Sequence, residues 1–271
     1  MGMFFIIAAV AILVLVAVHL FGTYQFAAKI SSLKERLLLS QAQATAPDPS
    51  HIPPIVRRFA TRNGARAGGP PALLMVQDAE MRLRIDQAFF RLDATQVSGT
   101  RRPGFVWQAT GVIAAVIPVR IVDAYVDGEG GLEVRLAGSV PVSAASGAEM
   151  AKGEAMRFLA ELPWNPEAIL NADGLSWRQI DDDTVEVSTP TVGGPARVVL
   201  HFDQDGDIAS IEAPDRPRAG DTPARWIGRF SDYAQVGAYR FPRRGEVAWD
   251  LPEAEFVYWR GNIVSIAASG N

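Results

Sequence analysis

A single amphipathic helix is predicted within a chain that otherwise has the alternation of β-strands. The helical segment is Gly147–Leu170, GAEMAKGEAMRFLAELPWNPEAIL. At about 100° per residue its apolar side chains fall in one stripe, as expected for a helix that packs on another element. Those side chains are Ala151, Ala155, Phe158, Leu159 and Leu162. Pro163 ends this helix, and Pro166 predicts the first turn of a short second helix.

The sequence on both sides of this helix has the period of two that is typical of strands. Strands are predicted at 73–84, 89–97, 104–113, 119–126, 132–142, 175–180, 184–188, 197–202, 208–213, 226–234, 239–249 and 256–268. Short strands joined by tight turns, such as Asp127-Gly128, favour an antiparallel meander. A dozen strands are too many for one flat sheet. We therefore expect a mainly β fold, an antiparallel sheet curled into an open barrel with one main helix packed on its mouth or concave side.

The N-terminal segment predicts a membrane anchor. No side chain before Lys29 is charged, and Met3–Phe21 is almost wholly apolar. About 20 such residues can cross a hydrocarbon core as a helix. A cleaved signal peptide is the alternative, but a basic start and an Ala-x-Ala site are both missing. The sequence therefore predicts a single-pass protein of the bacterial inner membrane.

A proline-punctuated stretch after the anchor marks the best domain boundary. We predict a transmembrane anchor at 1–28, a helical and proline-rich linker at 29–54, and a β-rich globular domain at 55–271. Basic residues at 29, 34 and 36 follow the span and favour a cytoplasmic domain by the positive-inside rule.

Composition excludes several classes of site. The chain has no cysteine, so disulfides, thiolate nucleophiles and cysteine-bound metals are ruled out. His19, His51 and His201 lack ligand spacing, and no metal or other cofactor is expected. The net charge of −4 gives no basic surface for nucleic acid. No Gly-rich phosphate loop, G-x-S-x-G or H-E-x-x-H motif occurs, which favours a protein that is not an enzyme.

Three charged residues of the helix form the one polar cluster whose geometry the sequence defines. Glu154, Arg157 and Glu161 have the i,i+3 and i,i+4 spacings of interacting side chains. They are either a surface salt bridge worth a few tenths of a kcal/mol or the rim of a cavity where Arg157 grips a carboxylate or phosphate. The two glutamates are about 10 Å apart along the helix, which weakens an acid–base pair.

Six tryptophans allow two interpretations, core filling or the wall of an apolar pocket. The second interpretation gives a set of candidate ligand-binding residues and no catalytic ones. The candidates are Trp107, Arg157, Phe158, Glu161, Trp164, Trp177, Trp226 and Trp249.

The segment Arg157–Pro166, RFLAELPWNP, resembles the signature of an uncharacterised bacterial domain family. Further matching segments are Leu175–Trp177, Phe105–Trp107, Asp123–Gly130, Trp226–Gly228 and Asp232-Tyr233, and the resemblance runs from about Ile55 to Ala268. The family has no assigned activity. In fold it is similar to the carriers of outer-membrane lipoproteins, which implies an unclosed barrel lidded by helices around an apolar interior. Those carriers are periplasmic, so the resemblance favours the extracytoplasmic side, against the positive-inside rule, and the side of the membrane stays open. The carriers are also soluble, and a membrane anchor would be a difference from them.

The leading hypothesis is a non-enzymatic, membrane-tethered protein that binds a lipid or acyl chain in a half-barrel cavity. One alternative is an enzyme whose Glu154, Arg157 and Glu161 line a cleft, which predicts inward side chains and a perturbed carboxylate pKa. Another is a membrane assembly or scaffold protein, which predicts an exposed apolar patch and no cavity.

Overall fold

The computed structural model describes residues 2–44, 48–113, 116–218 and 220–269. The helices in these ranges are α1 (Gly2–Ala42), α2 (Pro54–Arg62), α3 (Ala148–Ala160) and α4 (Pro166–Asn171), with 3-10 turns at Pro49–His51 and Leu162–Trp164. The strands are β1 (Ala72–Met81), β2 (Phe90–Gly99), β3 (Phe105–Ile113), β4 (Ile117–Val126), β5 (Glu129–Leu136), β6 (Val140–Ser146), β7 (Ser176–Gln179), β8 (Thr184–Thr189), β9 (Ala196–Phe202), β10 (Ile208–Arg218), β11 (Asp221–Val236), β12 (Tyr239–Asp250) and β13 (Glu255–Ser269).

The described strands form one antiparallel sheet in the order β6-β5-β4-β3-β2-β1-β13-β12-β11-β10-β9-β8-β7. Each half is a meander of neighbouring hairpins, as the short strands and tight turns predict. The two halves are joined because β1 pairs with β13, with Ala72 opposite Ser269 and Met81 opposite Trp259. Strands β6 and β7 are the two edges, so the barrel is open. The predicted fold class is confirmed.

The connection between β6 and β7 explains the position of α3. These strands lie at opposite edges of the sheet, so the chain between them must cross its whole width. Helix α3 contacts β4, β5 and β6 on one side and β8, β9 and β10 on the other. It therefore lies inside the concave face, where Phe158 and Leu159 are buried in the main core.

One end of the barrel is closed by α2 and α4, which pack on each other. The Phe59 ring of α2 meets Phe202 and Tyr233 edge to face, with centroids 6.0 and 6.2 Å apart. Glu167 of α4 accepts hydrogen bonds from the Arg66 backbone N–H and the Tyr239 hydroxyl. The turns at 127–128, 203–207 and 237–238 lie at this closed end. No described helix lies across the opposite end, where the turns at 82–89, 137–139 and 251–254 meet.

Helix α1 has two halves with different surroundings. Its N-terminal half is exposed, whereas Phe26, Ile30 and Leu37 pack against the convex face of β2, β3 and β4. Part of the predicted linker is therefore a continuation of the helix that docks on the sheet. Residues 45–47 of that linker lie outside the described ranges, and the proposed domain boundaries stay predictions.

One predicted strand is two strands in the structure, and β10 and β11 each extend about five residues beyond their predicted bounds. The segment 132–142 is divided between β5 and β6 by a turn at Ala137-Gly138, where the φ angles are 49° and 76°. A left-handed alanine is uncommon, so the sequence gives little sign of this turn. The predicted hairpin at Asp127-Gly128 does form, with φ angles of 55° and 81° at its two turn residues.

Candidate functional site

A cavity of about 670 Å³ lies between α3 and the concave face of the sheet. This volume is in the range of sites that bind small molecules. Most of its lining side chains are aliphatic or aromatic: Met81, Leu83, Phe90, Trp107, Ile113, Val119, Ile121, Leu132, Val134, Leu136, Val142, Met150, Trp164, Ile211, Trp226, Phe230, Val247, Trp249, Phe256, Tyr258 and Trp259. Because the strand period of two directs alternate residues inward, each of several strands contributes a row of them.

Trp164 lines the inner part of the cavity, toward the closed end. Its indole Nε1 donates to the Pro242 carbonyl at 2.8 Å, and its ring meets Phe230 and Trp259 with centroids 5.0 and 6.1 Å away. A Cβ at Gly245 would lie 2.5 Å from the Trp164 ring, so only glycine lets the indole lie flat on the sheet. Trp164 reaches this place because Pro163 ends α3 and starts a 3-10 turn.

Arg157 is the centre of a polar cluster on one side of the cavity. Its guanidinium contacts Glu161 Oε1 at 2.8 Å and Asp123 Oδ2 at 2.7 Å, and it donates to Gln96 Oε1 at 3.2 Å. The same group lies 5.2 Å from the centroid of Trp107. Burial alone lowers the pKa of Arg157, but the charges of Glu161 and Asp123 outweigh it and raise that pKa. Arg157 therefore stays a cation in an apolar setting.

Glu154 lies deeper, one turn before Arg157 on the same helix. It is 3% exposed, and its Oε1 is 3.4 Å from Arg216 Nη2. Arg216 in turn lies over the Trp226 ring, 4.2 Å from its centroid. Burial, followed by the negative charge of Asp123, raises the pKa of Glu154 to about 8. Glu154 is therefore mostly protonated at pH 7.

The charge balance of the polar cluster leads to the same protonation state of Glu154. The cluster contains three carboxyl groups, on Asp123, Glu154 and Glu161, and two guanidinium groups, on Arg157 and Arg216. One proton makes the set neutral, which removes the cost of an unpaired buried charge. In the described part of the chain, the buried atoms Asp123 Oδ1, Glu154 Oε2 and Arg216 Nε have no hydrogen-bond partner. A proton on Glu154 lets the two carboxyls bond to each other, which leaves Arg216 Nε as a free donor.

The structure brings six of the eight sequence-predicted site residues to this cavity. Those six are Trp107, Arg157, Glu161, Trp164, Trp226 and Trp249. Phe158 is instead 2% exposed within the main core. Trp177 lies on the edge strand β7, half-buried, opposite Val187. These two side chains pack in the core or against it and do not line the cavity.

Sequence reasoning missed Asp123, Gln96 and Arg216. Asp123 did carry a signal, because it occupies an inward position of β4 in the same row as Val119 and Ile121. A carboxylate in the buried row of a strand needs a partner, and that requirement points to a polar site. Arg216 carried no such signal, since the pairing of β10 with β11 is irregular between Ala213 and Arg218.

The described residues hold no group of three or more His, Asp or Glu side chains that could bind a metal ion. The polar cluster presents hydrogen-bonding groups and charges to the cavity. Its five ionisable groups lie on β4, on β10, and on α3 and its C-cap residue, whose positions are set by the core.

Two solved structures align with most of this chain. A LolA superfamily protein from Nitrosomonas europaea aligns with a TM-score of 0.46 at 12% identity, over 80% of this chain and 93% of that one. A DUF1329 family protein from Desulfovibrio piger aligns with a TM-score of 0.45 at 10% identity, over 79% and 92%. No curated protein matches the sequence. The predicted membership of an uncharacterised family is confirmed by a family model that matches residues 42–261: the chain belongs to the family of unknown function DUF6544.

Proposed function

We propose that this protein is a membrane-anchored binding protein that holds an amphipathic molecule, such as a lipid, inside its half-barrel. The observation that carries the proposal is the cavity of about 670 Å³ with an apolar wall and one polar cluster. An apolar wall favours an acyl chain or similar group, because transfer out of water gains about 25 cal/mol per Å² of apolar surface. The polar cluster gives a place for the polar end of the same molecule.

The polar end is best matched by a group that both accepts and donates hydrogen bonds. Arg216 Nε is a buried donor without a partner among the described residues, and Glu154 and Asp123 lie beside it. A hydroxyl, ester or amide group satisfies Arg216 without adding charge to a cluster that one proton makes neutral. A fully ionised phosphate would instead add negative charge next to three carboxyl groups.

Anchoring is supported by the exposed half of α1. This helix contains a window with a mean hydropathy of 3.0 whose residues are all unburied. A cleaved signal sequence would pass the same test of composition. Retention is favoured by contacts in the stretch where cleavage would fall, since Arg135 donates to the Gly22 carbonyl and Phe26 is fully buried against the sheet. These contacts belong to the folded domain, so the helix and the domain form one unit.

The test is native mass spectrometry of the protein in lipid nanodiscs formed without detergent. We expect a bound molecule of reproducible mass in the parent. Val134→Trp fills the cavity from β5 and should abolish that mass. The matched control Val264→Trp makes the same change on an exposed position of β13 and should keep it. An empty parent protein, or equal occupancy in the two variants, contradicts the proposal.

Acid–base catalysis is a second candidate function, favoured by the buried Glu154 and the direction of its pKa. Its side chain points inward and holds a proton near neutral pH, as the enzyme alternative requires. The bound molecule should then change mass on incubation in the parent and stay unchanged in Glu154→Gln. If the mass is constant in both proteins, the enzyme alternative is refuted and the binding function stands.

The scaffold alternative predicts a sheet without a cavity. The concave face instead encloses about 670 Å³ of space. The cavity therefore favours binding over this third function.

A further inference from the structure

The open end of the barrel and the apolar half of α1 lie on the same side of the molecule. We propose that the rim of the cavity, formed by the turns at 82–89, 116–117 and 137–142, rests in the membrane surface, so that the cavity mouth opens toward lipid. This inference rests on the proposed anchoring and ligand binding, and it adds the route by which the ligand enters.

Strand register places the three rim segments together. Met81 at the end of β1 pairs with Phe90 at the start of β2. Ile113 pairs with Ile117 across the β3–β4 turn, and Leu136 pairs with Val140 across the β5–β6 turn. In an antiparallel meander, alternate turns share one end of the sheet. The cavity reaches this end, since Leu83 and Val142 are among its lining residues.

Helix α1 runs along the convex face from the open end to the closed end. At its C-terminal part, Gln41 accepts hydrogen bonds from the backbone N–H groups of Arg101 and Arg102, at the closed end. At the other end, Arg135 donates to the Gly22 carbonyl at 2.8 Å, and His19 lies 2.8 Å from the Ser139 hydroxyl. The apolar residues before Gly22 therefore extend past the rim. A bilayer that holds them has its surface at the level of the rim.

The side chains of the rim match that position. Leu83, Ile85, Val116, Val140 and Val142 are 66%, 50%, 76%, 55% and 52% exposed. Large apolar side chains grouped at one end of a soluble domain mark an interaction surface. The continuity of this surface with the exposed half of α1 identifies the partner as a lipid bilayer.

The closed end has the opposite character. Its turn at 203–207 exposes Asp203 and Asp205, and its helix α2 exposes Arg57, Arg58 and Arg62. Charged groups of this density stay in water. The exit of α1 and the apolar rim therefore favour one orientation, with the mouth toward the bilayer and α2 and α4 away from it. In this orientation the charged turns between β10 and β11 and between β12 and β13 lie at the level of the headgroups.

This orientation removes a kinetic barrier for an apolar ligand. A ligand that leaves the bilayer through water exposes its acyl chain, whereas a mouth inside the interface lets it move from lipid to cavity without that exposure. The turn 82–89 also carries Arg84 and Asp86, which pair at 2.8 Å and keep the loop at the headgroup level.

The experiment uses the full chain in vesicles of phosphatidylcholine and phosphatidylglycerol. Because the chain has no cysteine, single variants can be labelled with an environment-sensitive fluorophore at one place. The rim variants are Leu83→Cys, Val116→Cys and Val142→Cys, and the closed-end controls are Asp205→Cys and Ala238→Cys. Lipids with a quencher on the upper acyl chain should quench the rim probes at least threefold more than the controls. Equal quenching at both ends overturns the proposal, as does protein that fails to float with the vesicles.

A second measurement separates rim docking from ligand binding. In Ile85→Asp with Val140→Asp, two exposed rim positions outside the cavity lining, uptake of a fluorescent monoacylglycerol from vesicles should slow at least tenfold, while binding of the same probe from detergent micelles is kept. Val264→Asp on the convex face is the matched control and should leave both rates unchanged. Unchanged uptake from vesicles refutes rim docking alone. If the parent protein does not bind the probe from detergent micelles, the proposed function is refuted instead.

Discussion

Replacement of Glu154 by glutamine should change how stability depends on pH. Glu154 lies in the cavity wall with its pKa raised to about 8, first by burial and then by the charge of Asp123. Glutamine has nearly the same shape, and its amide can donate to Asp123 as the protonated carboxyl does. The substitution therefore removes one titration with little change of packing.

The sign and size of the effect follow from proton linkage. In the unfolded chain Glu154 releases its proton near pH 4.5, whereas in the folded chain it keeps the proton to about pH 8. Unfolding therefore releases a proton between these values, and the free energy of unfolding falls as pH rises. The slope is about 1.4 kcal/mol per pH unit. Between pH 5 and pH 7 the parent should lose about 3 kcal/mol that the Glu154→Gln variant keeps.

Urea unfolding of the two proteins at half-unit steps from pH 5 to pH 8 measures this difference. Tryptophan fluorescence reports the transition, because Trp164 and Trp226 are both about 3% exposed in the folded state. The control is Glu149→Gln, which makes the same change at an exposed position in the first turn of α3. Its stability curve should run parallel to that of the parent.

Parallel curves for the parent and Glu154→Gln would refute the reasoning. Glu154 would then be ionised in the folded state, and the cluster would carry a net negative charge. If the free energy of unfolding of the parent rose with pH, the predicted sign of its pH dependence would be contradicted as well.

Three further substitutions test the packing around the site. Gly245→Ala places a Cβ 2.5 Å from the Trp164 ring and should cost about 1–3 kcal/mol in urea unfolding, and an unchanged midpoint would contradict the close approach. Asp207→Asn removes the buried charge that pairs with Arg240 at 2.6 Å, and it should lower the free energy of unfolding by about 3 kcal/mol; a loss below 1 kcal/mol would show that the pair is dispensable. Leu37→Ala opens space under α1 and should cost about 2–5 kcal/mol, whereas a neutral effect would show that the docked half of the helix is not part of the cooperative fold.

The meander could be predicted from the sequence because its signals are local. The period of two and turn residues such as Asp127-Gly128 define hairpins within a few residues, and β1 to β4 lie within about three residues of their predicted bounds. The division of 132–142 into β5 and β6 was missed because Ala137 is an uncommon left-handed residue, although Gly138 beside it is a turn signal. The pairing of β1 with β13 is also non-local, and only the open-barrel expectation implied it.

The candidate site was predicted on the helix and missed on the strands. The i,i+3 and i,i+4 spacings identify Glu154, Arg157 and Glu161 from neighbouring residues alone. Their partners Asp123 and Arg216 are 34 and 62 residues away from the groups that they contact. Such pairs depend on how the sheet curls, which no local pattern encodes. The sequence allows a salt bridge at the surface or at the rim of a cavity, and in the structure the pair of Arg157 and Glu161 has low exposure because both arms of the sheet enclose the helix.

The position of α3 differs from that of a lid over the cavity mouth. The sequence places this helix over the mouth or the concave side, and the structure has it inside the concave face, between the two halves of the sheet. Movement of α3 would break the contacts of Arg157 with Asp123 and of Glu154 with Arg216, each with low exposure to solvent. Entry of a ligand between the rim turns breaks none of these contacts. We therefore expect α3 to act as a fixed wall of the cavity, and we expect the proposed ligand to enter at the rim where α1 leaves the domain.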